Sequence, residues 1–317
     1  MLDGNRFPAI CLVLMTAMLP GWSEAQALPH LYYDDLGLIS WRTNWPAAQQ
    51  EARQSGKLIY VQITRFPCKL TQRFCSVSLP NEKLQKSLRK YCVCYVADFH
   101  RLPAEVQRLL DMKGYPAEQC PVHVLVSPSL EPLNWATQDV GPDNLAALIE
   151  QAAGNRRMQM SKAQDKEVDK LYQPLQSALR SRDAAKIQSV VQSIQKTPGF
   201  GEARNKCFDL LDTAEQPARQ KLMEAAKLLR EQKIPQAQLA LDEAKVLSES
   251  LPVSFEVDQT LAAMKLYEQA LEAERQATTT KQKQQTAAIY QQMLTRYPDT
   301  TIGTLAYQKL RATGGVK

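Results

Sequence analysis

Glycine and histidine are scarce in this chain, with 12 and 3 residues among 317. No phosphate-cradling glycine loop, HExxH pair, G-x-S-x-G elbow or C-x-x-C pair occurs. Those absences remove P-loop and dinucleotide binding, zinc-peptidase chemistry, hydrolase-elbow catalysis and paired-CxxC structural zinc. No cofactor and no metal is therefore expected. The three histidines are His30, His100 and His123; His123 alternates with Val122 and Val124 and reads as a packed or half-exposed strand residue. Charge of one sign is also lacking: 39 basic residues stand against 33 acidic ones, mixed along the chain. That balance suits contact with an acidic envelope surface and excludes nucleic-acid binding as the main role.

Long apolar runs are missing too. The longest, Pro8–Leu19, is too short to span a bilayer, which needs about 20 residues. It follows Arg6 and precedes Pro20-Gly21 and Ala25-Gln26-Ala27, the order of a cleavable secretory signal. Residues 1–27 are thus expected to be a signal peptide, and the mature chain to work in the periplasm or as a secreted protein, with no stable membrane insertion after cleavage. Loss of Arg6, Asp3 and Glu24 moves the formal balance from +6 to +7. Six of the seven cysteines remain, in a compartment where disulfides persist.

Composition divides the mature chain. Residues 28–153 hold three of the four tryptophans and five of the six remaining cysteines. Residues 154–162 read as a linker, and 163–317 are rich in Gln, Ala, Lys and Leu. In the first part, Trp41–Lys57 has helical spacing and ends at Gly56. LIYVQI (58–63), CVCYVADF from Cys92 and PVHVLVSP from Pro121 suit buried strands, and 134–140 a further one. A helix is expected from just after Cys68 to about Lys90, and another capped by Asp143. Alternating strands and helices imply an α/β layer fold.

These residues resemble exported members of the thioredoxin-like fold, over about 110 residues. Cys68 follows the first central strand, LPNEKLQKSLRKYCVCYVAD matches a helix-to-strand segment, and CPVHVLVSP matches the strand after the family's cis-proline, here Pro121. The resemblance implies Cys68 as the nucleophile. It also implies a departure: Cys68-Lys69-Leu70-Thr71 puts Thr71 where the second CxxC cysteine would stand, and Pro67 replaces the usual tryptophan. Without a resolving thiol the ordinary dithiol cycle cannot close within the motif. Cys75 lies two helical turns away, about 10 Å of rise, against the roughly 4.4–6.8 Å that a disulfide spans. Cys92 and Cys94 share one strand face and read as buried small apolar residues. In the family, the residue before the cis-proline packs beside the active cysteine, so the resemblance makes Cys120 a possible resolving partner, as a disulfide or as a second ligand for a soft metal. The other reading of Cys120 is a core filler. Cys68 itself has two readings, a thiolate favoured by a helix start with Arg65 and Lys69 nearby, or a relic on a binding fold.

From Lys162 onward apolar residues recur at i, i+3, i+4, interrupted at 197–201, 234–235, 251–252 and 297–300. Segments near Asp183, Gln236 and Thr286 rhyme at a period of about 50 residues, looser than 34. AAIYQQMLTRYPDTTIGTLAYQKL resembles the end of a tetratricopeptide repeat (TPR) array, which implies stacked helical hairpins that bind proteins or peptides; a plain bundle is the other reading. ATTTKQKQQT (277–286) reads as a solvated connector.

The expected architecture is an α/β thioredoxin-like domain followed by an all-α TPR-like one. Two functions fit: monothiol redox or mixed-disulfide chemistry at Cys68 on envelope or secreted client proteins, or a non-catalytic adaptor. A third, a thiol peroxidase, needs a Thr/Arg set around the cysteine that the sequence alone does not place.

Overall fold

A computed structural model describes residues 39–65, 68–112, 114, 119–298 and 300–312. The leader 1–27, His30, Pro67 and Asp299 lie outside the described residues. The first region is built on five strands: β1 (Trp41–Arg42), β2 (Leu58–Thr64), β3 (Cys92–Asp98), β4 (Val122–Val126) and β5 (Pro132–Thr137). Their order is β1-β3-β2-β4-β5. β1 and β2 both run parallel to β3, whereas β4 is antiparallel to β2 and β5 antiparallel to β4.

Every residue of β2 is buried, as a central strand covered on both faces requires. Ile59, Val61 and Ile63 face α1 (Trp45–Ser55) and α4 (Ala104–Asp111). Leu58 and Tyr60 face α3 (Glu82–Tyr91) and α5 (Pro142–Ala153). β3 alternates in the same way, so Cys92 and Cys94 share the α3/α5 face.

Several boundaries differ from those expected. Trp41-Arg42 is strand rather than helix, because Asn44 caps α1 by accepting from the Ala47 amide at 2.9 Å. The helical stretch after Cys68 is broken into α2 (Lys69–Arg73), a π-turn over Phe74–Ser78, and α3, which Asn81 caps through the Leu84 amide. Gly141, at φ 78°, is the N-cap of α5, and Asp143 sits in the first turn, where its charge opposes the helix dipole. α4 was not anticipated; Val106, Leu109 and Leu110 are its buried stripe.

The rest is helical: α6 (Lys162–Asp169), α7 (Tyr172–Ser181), α8 (Ala184–Gln195), α9 (Glu202–Arg230), α10 (Ile234–Ser248), α11 (Ser254–Gln276), α12 (Thr280–Arg296) and α13 (Thr301–Ala312). From α9 to α13 consecutive helices pack on one another through small residues, among them Ala218, Ala225, Ala237, Ala240, Ala244, Ala263, Ala270 and Ala306. The 277–286 stretch is mostly helix, because Thr279 and Gln282 form a reciprocal capping box that starts α12. α9 runs through Pro217. Both flanks of that proline are pinned, since Glu215 accepts from Arg219 and from the Val253 amide, and Arg219 also reaches Glu256.

The stretch between the two regions is held in place. Phe200 donates its amide to Met158 at 2.6 Å and accepts from Met160 at 2.9 Å, and both Met158 and Phe200 enter the α3/α5 core. Arg204, fully buried on α9, donates to the carbonyls of Thr197 (2.9 Å), Gly199 and Ser55. Its guanidinium lies 5.6 Å and 5.2 Å from the Phe200 and Phe208 ring centres. Gly56 is needed here: at φ 65° a Cβ would stand 3.2 Å from the Pro198 Cα. Around this staple, Arg89 pairs with Asp212 and Lys90 with Asp209.

Replacing Arg204 with leucine strands three carbonyls, and we expect a loss of about 3 kcal/mol of stability, read as a lower urea midpoint. His123 gives a second test. Its ring is buried and its pKa falls to about 4, chiefly through burial, against 6.5 for the free side chain. Below pH 6.5 the unfolded chain binds a proton that the folded chain refuses, so stability is complete above 6.5 and declines as the pH falls toward 4. The expected loss is about 3 kcal/mol, measured as the difference between wild type and His123→Gln in urea melts at pH 7 and pH 4.

Candidate functional site

The antiparallel register Ile63↔Val122 sets the end of β2 beside the start of β4. Cys68 follows β2, and Cys120 and Pro121 precede β4, so 52 residues of separation close to a contact. The Cys68 Sγ–H donates to the Cys120 carbonyl oxygen at 3.7 Å. The Cys120–Pro121 peptide bond is cis. Cys120 is buried, and its side chain belongs to the α1/α4-side core with Val106 and Val122. Thus it presents its carbonyl to Cys68, and no disulfide joins the six described cysteines to one another.

Cys68 is the N-cap of α2, with extended backbone at φ −146° and ψ 117°. Lys69, Leu70 and Thr71 are therefore the first three helical residues. An N-cap side chain is the natural acceptor for the second and third amides. Burial works against ionisation of Cys68. The Thr71 hydroxyl, the Thr71 and Leu70 amides and the charge of Arg65 together outweigh it, holding the thiol below its ordinary range. The buried thiols go the other way: desolvation pushes Cys92 up, and Cys207 up to about 11 with help from Asp169 and Asp165.

Thr71 is fully buried, and its hydroxyl has no partner while Cys68 is a thiol turned toward the Cys120 carbonyl. That hydroxyl is among the groups that hold the Cys68 thiol low, and the position of Thr71 three residues after a helix-starting cysteine signals its nearness.

A buried polar chain lies beneath. The Tyr60 hydroxyl donates to His123 Nδ1 at 2.7 Å, and His123 Nε2 donates to the Gln138 carbonyl at 3.0 Å. This fixes His123 as a neutral, fully packed core residue rather than a half-exposed one. The adjoining Asp139 accepts from Ser78 at 2.7 Å and pairs with Arg73 at 2.9 Å, tying the β5–α5 link to the helix that carries Cys68. Cys75 is buried in the same core as Cys92 and Cys94. Among the described residues no cluster of three metal-ligating side chains occurs, and no helix is long and apolar enough to cross a membrane. No family model matches the chain, and no curated protein matches it.

The arrangement makes one partly exposed sulfur anionic more readily than any other thiol with a resolved shift. Its alkylation rate against pH should show a midpoint below that of free cysteine. Thr71→Val should raise that midpoint and slow alkylation at pH 7 about tenfold, because at least about 1.5 kcal/mol attaches to a hydrogen bond with a charged acceptor; Thr71→Ser should restore it.

Proposed function

We propose that the chain is an exported thioredoxin-like protein with a TPR-like helical region, and that Cys68 forms mixed disulfides with envelope or secreted client proteins. The carrying observation is the position of Cys68, partly exposed at the start of α2, with its thiol against the carbonyl that precedes the cis bond to Pro121. The strand order, the antiparallel β2–β4 pair and the cis bond before Pro121 support the thioredoxin-like reading. The alanine-lined packing of α9 to α13 supports the TPR-like one. Export rests on the charge, apolar run and small residues of 1–27.

In this reading the Cys68 thiolate attacks a client disulfide, a sulfur–sulfur bond forms, and the departing client sulfur leaves as thiolate. Thr71 supplies no second thiol, so release falls to an external thiol. The helical hairpins offer an extended surface for holding the client. The second reading is a non-catalytic adaptor, favoured by that same threonine in place of a resolving cysteine.

Recovery of the protein from the cell envelope under non-reducing conditions separates them. Mixed-disulfide chemistry gives client adducts that reductant releases and that Cys68→Ser lacks. An identical partner set with Cys68→Ser makes the protein an adaptor.

A further inference from the structure

A cavity of about 280 Å³ lies where the edge of the sheet meets the later helices. β1 ends the sheet, and its Trp41 lines the cavity together with Leu222 and Leu229 of α9, Phe255 of α11 and Arg296 of α12. Trp41, Leu222 and Leu229 are buried, whereas Phe255 is 68% exposed and extends the apolar lining to the surface. Among the described residues Arg296 enters no ion pair; its guanidinium donates to the neutral side chain of Gln292. The cleft is thus apolar and aromatic, with one positive charge that no described carboxylate balances.

Size and position select the occupant. Small-molecule sites run to roughly 300–1,000 Å³, so this smaller cleft suits a few side chains of a peptide segment better than a cofactor. Ile39 lines the cleft, and residues 28–38, LPHLYYDDLGL, come directly before it in the chain. That stretch carries Leu31, Tyr32, Tyr33 and Leu36 around the acids Asp34 and Asp35, which complements an aromatic cleft with an arginine. A ligand joined by a short linker acts at an effective concentration of roughly millimolar, so the neighbouring segment has the advantage over any free peptide of the same make-up. Native folds also cover the edges of their sheets with a loop or helix, and β1 is such an edge.

We propose that residues 28–38 of the same chain dock in this cleft, with their leucine and tyrosine side chains against Trp41, Leu229 and Phe255 and the Asp34–Asp35 pair toward Arg296. The chain then straps its own sheet edge to α9, α11 and α12. This contact is independent of any chemistry at Cys68.

The test places p-benzoylphenylalanine at position 255 of the full chain and maps the photo-cross-linked peptides by mass. We expect an intrachain cross-link to residues 28–38. Because the segment is tethered beside the cleft, its side chains must be shown to matter. Tyr32→Ser, Tyr33→Ser and Leu36→Ser together should cut the yield at least about tenfold, as loss of apolar burial demands. Arg296→Glu should lower it about threefold, the scale of an exposed ion pair, and Asp34→Lys with Asp35→Lys in that background should recover it. The same probe at position 259, which also lines the cleft, should give the same pattern without altering Phe255. A yield unchanged by the serine replacements reports tethering alone and overturns the proposal. So do cross-links that reach only a second copy or another protein, and so does the absence of any cross-link to 28–38 from both positions.

Discussion

The pairing of β2 with β4 is the constraint on which the site depends. Five residue pairs from Ile59↔Val126 to Ile63↔Val122 fix the register, and a slip of one residue would exchange the two faces of β4. His123 would then leave Tyr60 and enter the Val106–Leu110 side, while Val122 and Val124 would meet the polar chain. Because both faces are buried, neither exchange is tolerable. The same register carries the loop ends after β2 and before β4 to one edge, so the contact between Cys68 and Cys120 follows from core packing rather than from any attraction between the two residues.

Capping α2 with cysteine sets the chemistry. Serine, aspartate or asparagine would satisfy the first amides permanently; the Cys68 thiol makes no side-chain cap bond. The helix start is therefore incompletely satisfied until the sulfur becomes anionic. Helix formation and ionisation support each other here, and Thr71 adds a hydroxyl that cannot find water. Asp139 braces α2 and the π-turn after it from outside through Arg73 and Ser78.

Much of this was legible in the sequence because burial leaves strong patterns. β2, β3 and β4 stand out as apolar runs bounded by turn residues, and Cys68 was placed correctly just after β2. The two residues of β1 carry no period, and only pairing with Cys94 and Tyr95 makes them a strand. Polar composition hid the start of α12, although Thr279 and Gln282 spell its capping box. α9 continues through Pro217, where the Glu215–Arg219–Glu256 linkage braces the helix. Within the site, Thr71 read as a loss because a sequence shows which thiol is absent and not where a hydroxyl points.

Arg204 was the least legible element, and it governs how the two regions relate. An arginine in a Gln- and Lys-rich helical stretch looks like a solvated charge. Folding instead buries it against three carbonyls and two aromatic rings, and desolvation lowers its pKa to about 10. Such a group stabilises only when every donor is aimed, and the unpartnered Nε shows that the fit is not complete. The Ser55 carbonyl it holds ends α1, and the Gly199 carbonyl belongs to the loop that sends Phe200 into the α/β core. One guanidinium thus joins a helix end of the first region to the first turn of α9, whose later turns carry α10 and the hairpins beyond. The helices that follow from α9 are thereby tied to the end of α1 and to the α/β core.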